Sequence, residues 1–552
     1  MKTPRGEEFV PTLPALLRAA ARDHAEREFL VMGEQRLTYS QAERQSAELA
    51  RGLLALGLGK GSRVGLLMSN SPDWVVAFGA AARTGSLCVL FSTFFQAPEI
   101  SWCIRHNDVD TLLVQADYIG NDYLDRLERA LPGLAEQTSP ELFLPEHPYL
   151  RRIIVWGKCD RHWALQGPEA LKEAANRRPQ IDDHFLEQIE ANIAPADSLL
   201  TICTSGTTAE PKAVVHTHGV ALRITHAFLD YLDLRGHDRN YTGQAFFWIG
   251  GLNVNLLPAM YVGACLVFSH TPDAEEIADV IQRERVTRLS LWPAQILAIR
   301  EVANRKGCDL SSVRSGLGEP RDEYGEVIPV DRRIGGVMGM TESFGMHSIE
   351  KRTVPVPHGK GGTWGRHLPG VERKVVDRET GATVPPGVEG ELYIRGYTLM
   401  QGYYKKEREQ TFTRDGFFAT GDLVKIDEDD FIYFTGRSTE MIKTSGANVS
   451  PREVEIALQK YPEVREAIVF GMPDAVRGEI VVAVLVAAAG KVADPADLTA
   501  RLRRDISNYK VPHRMVLIPF DDIPRTGSAK PRKPQLLKIV AEKISPVSPD
   551  SA

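Results

Sequence analysis

Cysteine is scarce in this sequence, and its spacing excludes the usual cysteine-based sites. The 552 residues include six cysteines, and no two of them form a CxxC pair. Each lies in or beside an apolar stretch, which favours reduced, mostly buried thiols over a disulfide framework or a metal centre. Reduced thiols are typical of a reducing compartment. The six are Cys88, Cys103, Cys159, Cys203, Cys265 and Cys308.

Long apolar runs are also missing. The sequence contains no stretch of about 18 consecutive apolar residues, so we expect no membrane span. The N-terminal residues lack the long apolar segment of a secretory signal. Together with the reduced cysteines, these absences favour the cytoplasm as the location.

A basic excess is absent too. The 66 lysines and arginines are outnumbered by 72 aspartates and glutamates, which gives a formal net charge of −6. Nucleic-acid-binding proteins usually carry a basic excess, so we expect no nucleic-acid partner. A small anionic ligand remains possible because a few local cations suffice to hold it. The length exceeds what one hydrophobic core supports, so two or more domains are expected.

Short apolar runs alternate with helix-like stretches in the first half of the chain. Runs such as RVGLLMS, SLCVLFS and SLLTICTS are typical of buried strands. Their alternation with helices predicts parallel sheets covered by helices on both faces. After about residue 345, dense turn signals and short strands predict a small antiparallel β unit. From about residue 440 an α+β segment begins, so we place a domain boundary near residues 436–440.

A polar loop after the run SLLTIC is the most informative stretch. Its hydroxyl groups, backbone N–H groups and one lysine can surround anionic oxygens, and its glycine allows the backbone to approach phosphate closely. The chain has no GxxxxGK[ST] sequence, so this is not a Walker A loop. The alternative is a plain polar surface loop. The candidate phosphate-binding residues are Thr204, Ser205, Gly206, Thr207, Thr208 and Lys212.

Four further segments complete a recognisable set. After TSGTTAEPKAVVHTH come GMTES, FFATGD, FTGRSTEMIKTSGANVSPREVE and PRTGSAK, in that order over some 330 residues. Together they resemble the adenylate-forming (ANL) superfamily, which includes acyl-CoA synthetases, luciferases and nonribosomal adenylation domains. The resemblance extends from about residue 15 to about residue 535, and the MIKTSGANVSPREVE stretch is most similar to the branch that uses coenzyme A.

The resemblance implies a fold that agrees with the coarse pattern. It implies an α/β protein whose large N-terminal domain has two parallel α/β lobes and a β-barrel-like lobe, followed by a small mobile C-terminal α+β domain. On this sequence the N-terminal domain would span residues 1–436, the hinge 437–440 and the C-terminal domain 441–540. The residues from 541 to 552 would form a disordered tail.

The resemblance also implies an ATP-dependent acid–CoA ligase. Such an enzyme joins a carboxylic acid to ATP as an acyl adenylate, releases pyrophosphate, and transfers the acyl group to coenzyme A. Both reacting partners are anions, so cations must offset their repulsion. By family likeness, Lys530 would bridge the carboxylate and the α-phosphate, Glu342 would bind Mg²⁺, and Thr341 would donate its hydroxyl to the α-phosphate. The alternative for Lys530 is a solvated surface lysine, and the alternative for Glu342 is a carboxylate at a helix N-terminus.

Other matched positions are expected to hold the nucleotide and coenzyme A. Asp422 would accept hydrogen bonds from the ribose hydroxyls, and Arg437 would contact ribose or phosphate. The triplet Gly318, Glu319 and Pro320 lies where relatives line the adenine. Gly446 would border the pantetheine arm, since it has no side chain. Turn formation is the alternative for Asp422, for the triplet and for Gly446, and a surface ion pair is the alternative for Arg437.

Two segments are expected to line the acyl site, namely AFFWIGGLNVNLLPAM and GGVMGM. Their apolar side chains and glycines predict a hydrophobic acid larger than acetate, whether aliphatic, aromatic or polycyclic. Plain core packing is the alternative at each position. The candidate substrate residues are Trp248, Ile249, Gly250, Gly336, Met338 and Gly339.

Three alanines stand where the family usually has glycine, at Ala209, Ala213 and Ala529. If those positions need positive φ, alanine adds strain of about 1 kcal/mol or more. These departures keep open a non-catalytic nucleotide binder as an alternative. An adenylating enzyme that delivers the acyl group to a carrier-protein thiol is the other alternative.

Overall fold

The computed structural model describes residues 1, 8–204, 211–318, 320–322, 326–351, 353–437, 441–524, 531 and 533–543. This part of the chain divides into two compact units. The first takes in Met1–Thr93, Ile100–Thr204 and residues 212–437. The second takes in Phe94–Glu99 and the described residues after 440.

The strands before residue 438 are, in chain order, β1 (Glu28–Met32), β2 (Gln35–Thr38), β3 (Arg63–Leu67), β4 (Leu87–Leu90), β5 (Thr111–Gln115), β6 (Asp117–Tyr118), β7 (Asn121–Asp122), β8 (Arg152–Trp156), β9 (Leu165–Gln166), β10 (Ser198–Thr204), β11 (Lys212–Thr217), β12 (Arg239–Thr242), β13 (Cys265–Phe268), β14 (Arg288–Ser290), β15 (Met338–Met340), β16 (Gly345–Ile349), β17 (Arg366–His367), β18 (Val371–Val376), β19 (Gly390–Gly396), β20 (Gly402–Tyr403), β21 (Phe418–Ile426) and β22 (Ile432–Arg437).

The α-helices in the same part are α1 (Leu13–His24), α2 (Tyr39–Ala55), α3 (Pro72–Arg83), α4 (Ala97–His106), α5 (Tyr123–Ala130), α6 (Gly167–Asn176), α7 (Asp183–Ala191), α8 (His218–Phe228), α9 (Ile249–Gly251), α10 (Leu257–Val262), α11 (Ala274–Arg283) and α12 (Pro293–Lys306). A π-helical turn, Leu252–Leu256, connects α9 to α10.

An eight-stranded sheet with the order β20-β11-β10-β4-β3-β5-β8-β9 forms one α/β lobe. Its strands from β10 to β9 are parallel, and they are buried almost throughout, as their continuous apolar runs predict. β11 and β20 extend this sheet antiparallel at one edge. The sequence pattern alone does not predict this antiparallel edge.

A five-stranded sheet with the order β14-β12-β13-β1-β2 forms the second lobe. Its strands are parallel except for the β1–β2 hairpin. β1 and β2 lie near the N-terminus, whereas β12, β13 and β14 follow about 200 residues later. This lobe is therefore assembled from two distant segments of the chain.

Two wholly antiparallel sheets form the β-rich part that begins at β15. β15, β16 and β17 form a three-stranded sheet, and β18, β19, β21 and β22 form a four-stranded sheet. Apolar side chains of the four-stranded sheet form one core, to which Val214 of β11 and Met338 of β15 also belong. The expected α/β fold class, with two parallel lobes and a β-rich lobe, is confirmed by these sheets.

The second unit has strands β23 (Ile442–Thr444), β24 (Ala447–Val449), β25 (Val464–Asp474), β26 (Gly478–Ala487) and β27 (Arg514–Leu517), and helices α13 (Pro451–Gln459), α14 (Pro495–Asp505) and α15 (Lys533–Lys543). Its sheet has the order β24-β23-β26-β25, with β27 parallel to β26.

Alternate residues of β26 enter two different apolar clusters. Val481, Ala483 and Leu485 pack with α13 and α14, whereas Val482 and Val484 pack with α15. This two-residue alternation is what a strand covered on both faces requires. Over the described ranges of both units, every helix is too short or too polar to cross a bilayer.

Three histidines of the first unit are fully buried, and this predicts a pH-dependent stability. Burial lowers the pKa of His216 and His218 to about 4 and that of His347 to about 3. Unfolded histidine titrates near pH 6.5, as in model peptides. Between about pH 6.5 and pH 4 the unfolded chain therefore binds more protons than the folded chain, so the free energy of unfolding falls as the pH falls.

The substitution His218→Asn tests this. His218 Nδ1 accepts a hydrogen bond from the Leu13 backbone N–H at 3.1 Å, and an asparagine oxygen at the same position can accept it without titrating. We expect the urea-unfolding midpoint of the variant to depend less steeply on pH between 7 and 5 than that of the wild type. Equal slopes in the two proteins would contradict this assignment.

Candidate active site

One face of strand β11 organises the site. Side chains alternate along a strand, so Lys212, Val214 and His216 share a face. β20 pairs with β11 in the register that places Tyr403 opposite Val214. Tyr403 is therefore a diagonal neighbour of Lys212, whose Nζ lies 5.0 Å from the centre of the Tyr403 ring.

A tight turn between β15 and β16 lies opposite this face. Thr341–Ser343 form one turn of 3₁₀ helix, and Phe344 (φ +50°) and Gly345 (φ +114°) then reverse the chain. The two strands approach so closely that a Cβ on Gly339 would lie 2.6 Å from the Gly345 oxygen. Glycine is therefore required at 339, and the turn has little freedom to shift.

The β11 face and β20 hold this turn directly. His216 Nε2 contacts the Thr341 carbonyl oxygen at 2.7 Å, and its ring meets the Phe344 ring edge-on at 5.0 Å. The Tyr403 hydroxyl donates to Glu342 Oε1 at 2.8 Å. The backbone N–H of Met400, just before β20, donates to the Glu342 carbonyl oxygen at 2.8 Å. Both Thr341 and Glu342 are thus fixed by contacts with the edge of the eight-stranded sheet.

The charges around this turn are only partly hydrated. Burial, followed by the neighbouring Lys406, lowers the pKa of Lys212, and Glu342 partly offsets this effect. Burial and the Glu342 carboxylate raise the pKa of Tyr403, so its hydroxyl stays protonated and remains a donor. Burial lowers the pKa of His216, so its ring is neutral near pH 7 and Nε2–H is the donor to Thr341. The site therefore combines a cation, a carboxylate and two neutral donors.

The ends of the expected phosphate loop lie side by side. Thr204, the last residue of β10, is paired with Lys212, the first residue of β11, and its hydroxyl contacts the Lys212 carbonyl oxygen at 3.5 Å. The predicted phosphate-binding residues Ser205, Gly206, Thr207 and Thr208 lie outside the described residues.

Asp422 and Arg437, both expected to hold the nucleotide, are cross-strand neighbours. Asp422 on β21 pairs with Arg437 on β22. Asp422 is buried, and its backbone N–H donates to the Thr420 hydroxyl at 3.1 Å. The Arg437 side chain lies outside the described part of the chain. The pairing places the two residues next to each other in the sheet, which their 15-residue separation in sequence does not indicate.

The first acyl-site segment reaches the turn through an asparagine. Ile249 is buried in the main core, Trp248 packs at its edge, and Gly250 lies beside them in α9. The following π-helical turn carries Asn253, whose Nδ2 donates to the Phe344 carbonyl oxygen at 2.6 Å. A π-helical turn inside a helix is frequently found at a functional site.

The second acyl-site segment packs against the β-rich lobe. Met338 is buried with Val214, and Gly336 lies so close to Trp364 that a Cβ there would be 3.1 Å from the indole ring. Gly339 is the residue whose missing side chain allows β15 and β16 to approach. Packing therefore accounts for the residue types at these three positions, and their contact with an acyl chain stays a prediction.

Comparisons with known proteins identify the family of the chain. Residues 17–404 match the family described as AMP-binding enzyme, and residues 453–530 match the AMP-binding enzyme C-terminal domain. The chain belongs to the AMP-binding enzyme family.

Individual relatives cover nearly the whole chain. The acyl-CoA ligase sidI of Aspergillus fumigatus is 30% identical over 92% of this chain and 87% of its own length. The indoleacetate–CoA ligase of Aromatoleum aromaticum is 29% identical over 92% and 94%. Among solved structures, a fatty acyl-CoA synthetase of Mycobacterium tuberculosis is 25% identical, with a TM-score of 0.61 over 97% of this chain and 99% of that one.

Membership of this family confirms the expected activity. The protein is an AMP-forming acyl-CoA synthetase that ligates a carboxylic acid to coenzyme A through an acyl adenylate, and it uses ATP, Mg²⁺ and coenzyme A. The family and the named relatives favour coenzyme A over a carrier-protein thiol, and an enzyme over a non-catalytic nucleotide binder.

The donor set at the turn fits Mg²⁺. Among the described residues, no group of three or more His, Cys, Asp or Glu side chains could hold a metal ion. Mg²⁺ in nucleotide-dependent enzymes is commonly held by one or two carboxylates together with substrate phosphates and water. A single carboxylate, Glu342, beside the cationic Lys212 is therefore a suitable site for a metal that arrives with a triphosphate.

The remaining predicted residues lie elsewhere or outside the described part. Lys530 and Glu319 lie outside it, as do Ala209 and Ala529. Ala213 has the extended backbone of β11, paired with Cys203, so alanine is unstrained there.

Two glycines that were predicted to contact ligands are Gly318, which is exposed, and Gly446, which lies in a turn. Gly318 is exposed, with open space where a Cβ would stand. Pro320, two residues later, accepts a hydrogen bond from the Ile328 N–H at 3.0 Å. Gly446 lies in the second unit, in the two-residue turn between β23 and β24, where Ser445 (φ +48°) and Gly446 (φ +82°) both need positive φ. The turn alone accounts for the glycine at 446.

Three residues that contact the turn, His216, Asn253 and Tyr403, were not predicted from the sequence. The spacing of His216, four residues after Lys212 within a strand pattern, was a signal that the two share a face. Asn253 lies within a quoted segment, yet its partner is about 90 residues away. Tyr403 belongs to a two-residue strand whose pairing with β11 has no local sequence signal.

The contact between His216 and Thr341 predicts a specific mutational result. In His216→Phe the partly buried Thr341 carbonyl loses its donor, which should cost about 1 kcal/mol of unfolding free energy. Because the same change frees the turn, ATP–pyrophosphate exchange should also fall. His216→Gln, which places an amide N–H near the same point, should retain more of both. Urea unfolding and exchange assays check this, and equal losses in the two variants would count against the donor role.

Proposed function

We propose that this synthetase activates a hydrophobic carboxylic acid larger than acetate, in the cytoplasm. The apolar character of the Trp248 and Ile249 segment supports the acid class, since acyl sites are mostly apolar. Among the relatives, one is named for indoleacetate and one for fatty acids, and both acids carry a larger apolar group than acetate. Aliphatic, aromatic and polycyclic acids all remain within this class.

The proposal depends on the position of the β11 face against the turn that contains Thr341 and Glu342. Lys212 Nζ lies 5.0 Å from the centre of the Tyr403 ring, and the Tyr403 hydroxyl donates a hydrogen bond to Glu342. A cation and a carboxylate therefore both lie beside Tyr403. Mg²⁺–ATP needs groups of both charges, because its phosphates are anionic and its metal is cationic. We assign Lys212 to the phosphates and Glu342 to Mg²⁺, which when bound neutralises phosphate charge.

The first half-reaction joins two anions at phosphorus. A carboxylate oxygen of the acid forms a bond to the α-phosphorus, and the bond to the pyrophosphate oxygen breaks. In our proposal Thr341 donates its hydroxyl to the α-phosphate, and Lys530 bridges the carboxylate and the α-phosphate as charge develops. Thr204, Ser205, Gly206, Thr207 and Thr208 would donate to the phosphate oxygens. Donors fixed before reaction stabilise this charge without reorganising.

Other residues would hold the nucleoside. The buried Asp422 would accept hydrogen bonds from the ribose, with Arg437 beside it on the paired strand. Gly318, Glu319 and Pro320 would border the adenine. Support for these assignments is the motif match together with the cross-strand pairing of the first two residues.

The second half-reaction transfers the acyl group. The coenzyme A thiol, losing its proton, attacks the acyl carbonyl carbon, and AMP leaves with the electron pair of the broken bond. Gly446 would border the pantetheine arm. We propose a domain division at 1–436 and 441–540, joined by a hinge at 437–440 and followed by a disordered tail at 541–552. The two family matches, which end at 404 and begin at 453, are compatible with it.

The role of Glu342 predicts a metal-specific defect. Glu342→Gln keeps the shape of the side chain and removes its charge. We expect acid-dependent pyrophosphate release to fall about 100-fold, the size typical of losing one electrostatic stabiliser, and the Mg²⁺ concentration for half-maximal rate to rise. Glu372→Gln, an exposed residue whose carboxylate pairs with Arg395, is the control and should behave as wild type. An unchanged Mg²⁺ dependence in Glu342→Gln would refute the role.

The acid class predicts a trend across substrates. Each buried CH₂ contributes about 0.8 kcal/mol, which is roughly a fourfold rise in kcat/KM per methylene while the pocket has room. Thioester formation from ATP, Mg²⁺ and coenzyme A should therefore rise from acetate to medium-chain acids, with aromatic acids assayed beside them. Acetate as the best substrate would overturn the proposal.

A further inference from the structure

Tyr403 contacts both the proposed phosphate-binding lysine, Lys212, and the proposed Mg²⁺ ligand, Glu342. Its hydroxyl donates to Glu342 Oε1 at 2.8 Å. Its ring centre lies 5.0 Å from Lys212 Nζ and 5.7 Å from Lys406 Nζ. The residue thus contacts the proposed metal-binding carboxylate through its hydroxyl and two ammonium groups through its ring.

The hydrogen bond determines which carboxylate oxygen is available. Oε1 of Glu342 is engaged by Tyr403, whereas Oε2 accepts no hydrogen bond from the described residues. A carboxylate held at one oxygen cannot rotate freely, so the other oxygen keeps one direction. Partners that orient a metal ligand in this way commonly change metal affinity by about 10–100-fold when removed.

The ring has a second effect on the charges. The face of an aromatic ring attracts cations, by about 0.5–1 kcal/mol at exposed sites. Lys212 and Lys406 both lie near the Tyr403 ring, so the ring attracts two like charges that repel each other and supports the position of Lys212. The strand register fixes this geometry, because Tyr403 is paired with Val214 two residues from Lys212.

We propose that Tyr403 is a positioning residue for Mg²⁺–ATP, which orients Glu342 through its hydroxyl and supports Lys212 through its ring. This inference rests on the proposed metal role of Glu342. The ring also packs at the edge of the β-rich core, so a structural role must be separated from the positioning role.

Tyr403→Phe makes this separation, because it keeps the ring and removes only the hydroxyl. We expect the Kd of Mg²⁺–ATP, measured by calorimetry without the acid, to rise about 10-fold together with KM for Mg²⁺–ATP and the Mg²⁺ requirement, with KM for the acid unchanged. KM does not depend on the folded fraction of the sample, so partial unfolding does not obscure the result. Tyr404→Phe is the matched control, since the adjacent Tyr404 hydroxyl donates instead to Asp108 Oδ2 at 3.1 Å. It should leave these values unchanged.

A double variant tests whether Tyr403 acts through Glu342. If it does, Tyr403→Phe should cause no further rise in the Mg²⁺ requirement in a Glu342→Gln background. An additive rise in the double variant, or equal changes in KM for the acid and for Mg²⁺–ATP, would overturn the inference. So would a changed Mg²⁺ requirement in Glu342→Gln with none in Tyr403→Phe. An unchanged requirement in Glu342→Gln itself would instead refute the proposed function on which the inference rests.

Discussion

The alternation of side chains along β11 decides what reaches the turn that carries Thr341 and Glu342. One face of this strand presents Lys212 toward the carboxylate side and His216 toward the Thr341 carbonyl, with Val214 packed in the core between them. A shift of the strand by one residue would send all three side chains to the opposite face. The pairing with β10 on one side and β20 on the other fixes the register, so the backbone of the sheet edge positions the site.

Partial burial strengthens the electrostatic interactions between the charged groups at this sheet edge. Lys212 and Glu342 would interact weakly in bulk water, and their interaction strengthens as water is excluded. The same exclusion holds Tyr403 as a protonated donor and His216 as a neutral one. A group that changed its charge near pH 7 would change the electrostatic attraction between the site and the incoming phosphates. The uncharged donors instead fix the turn without adding a charge to it.

Several features of the fold follow from the sequence pattern. The buried parallel strands were predicted because continuous apolar runs suit strands that are covered on both faces. The antiparallel β unit was predicted because turn residues become dense after about residue 345. The assembly of β1 and β2 with β12, β13 and β14 was not predicted, since strand pairing over 200 residues leaves no local pattern. The same reason hides the partner of Asn253 and the place of Tyr403.

The sequence by itself determined the chemistry available: a hydroxyl-rich segment with Lys212, a Thr–Glu pair, the motif residues Asp422 and Arg437, and the family to which these motifs belong. It could do so because each motif is contiguous and its residue types follow from the groups it must bind. Only the tertiary structure decided that Tyr403 contacts both Lys212 and Glu342 and that the strand positions of Asp422 and Arg437 are paired. Those contacts depend on strand register and on the packing of distant segments, and neither quantity is a property of any short stretch of the chain.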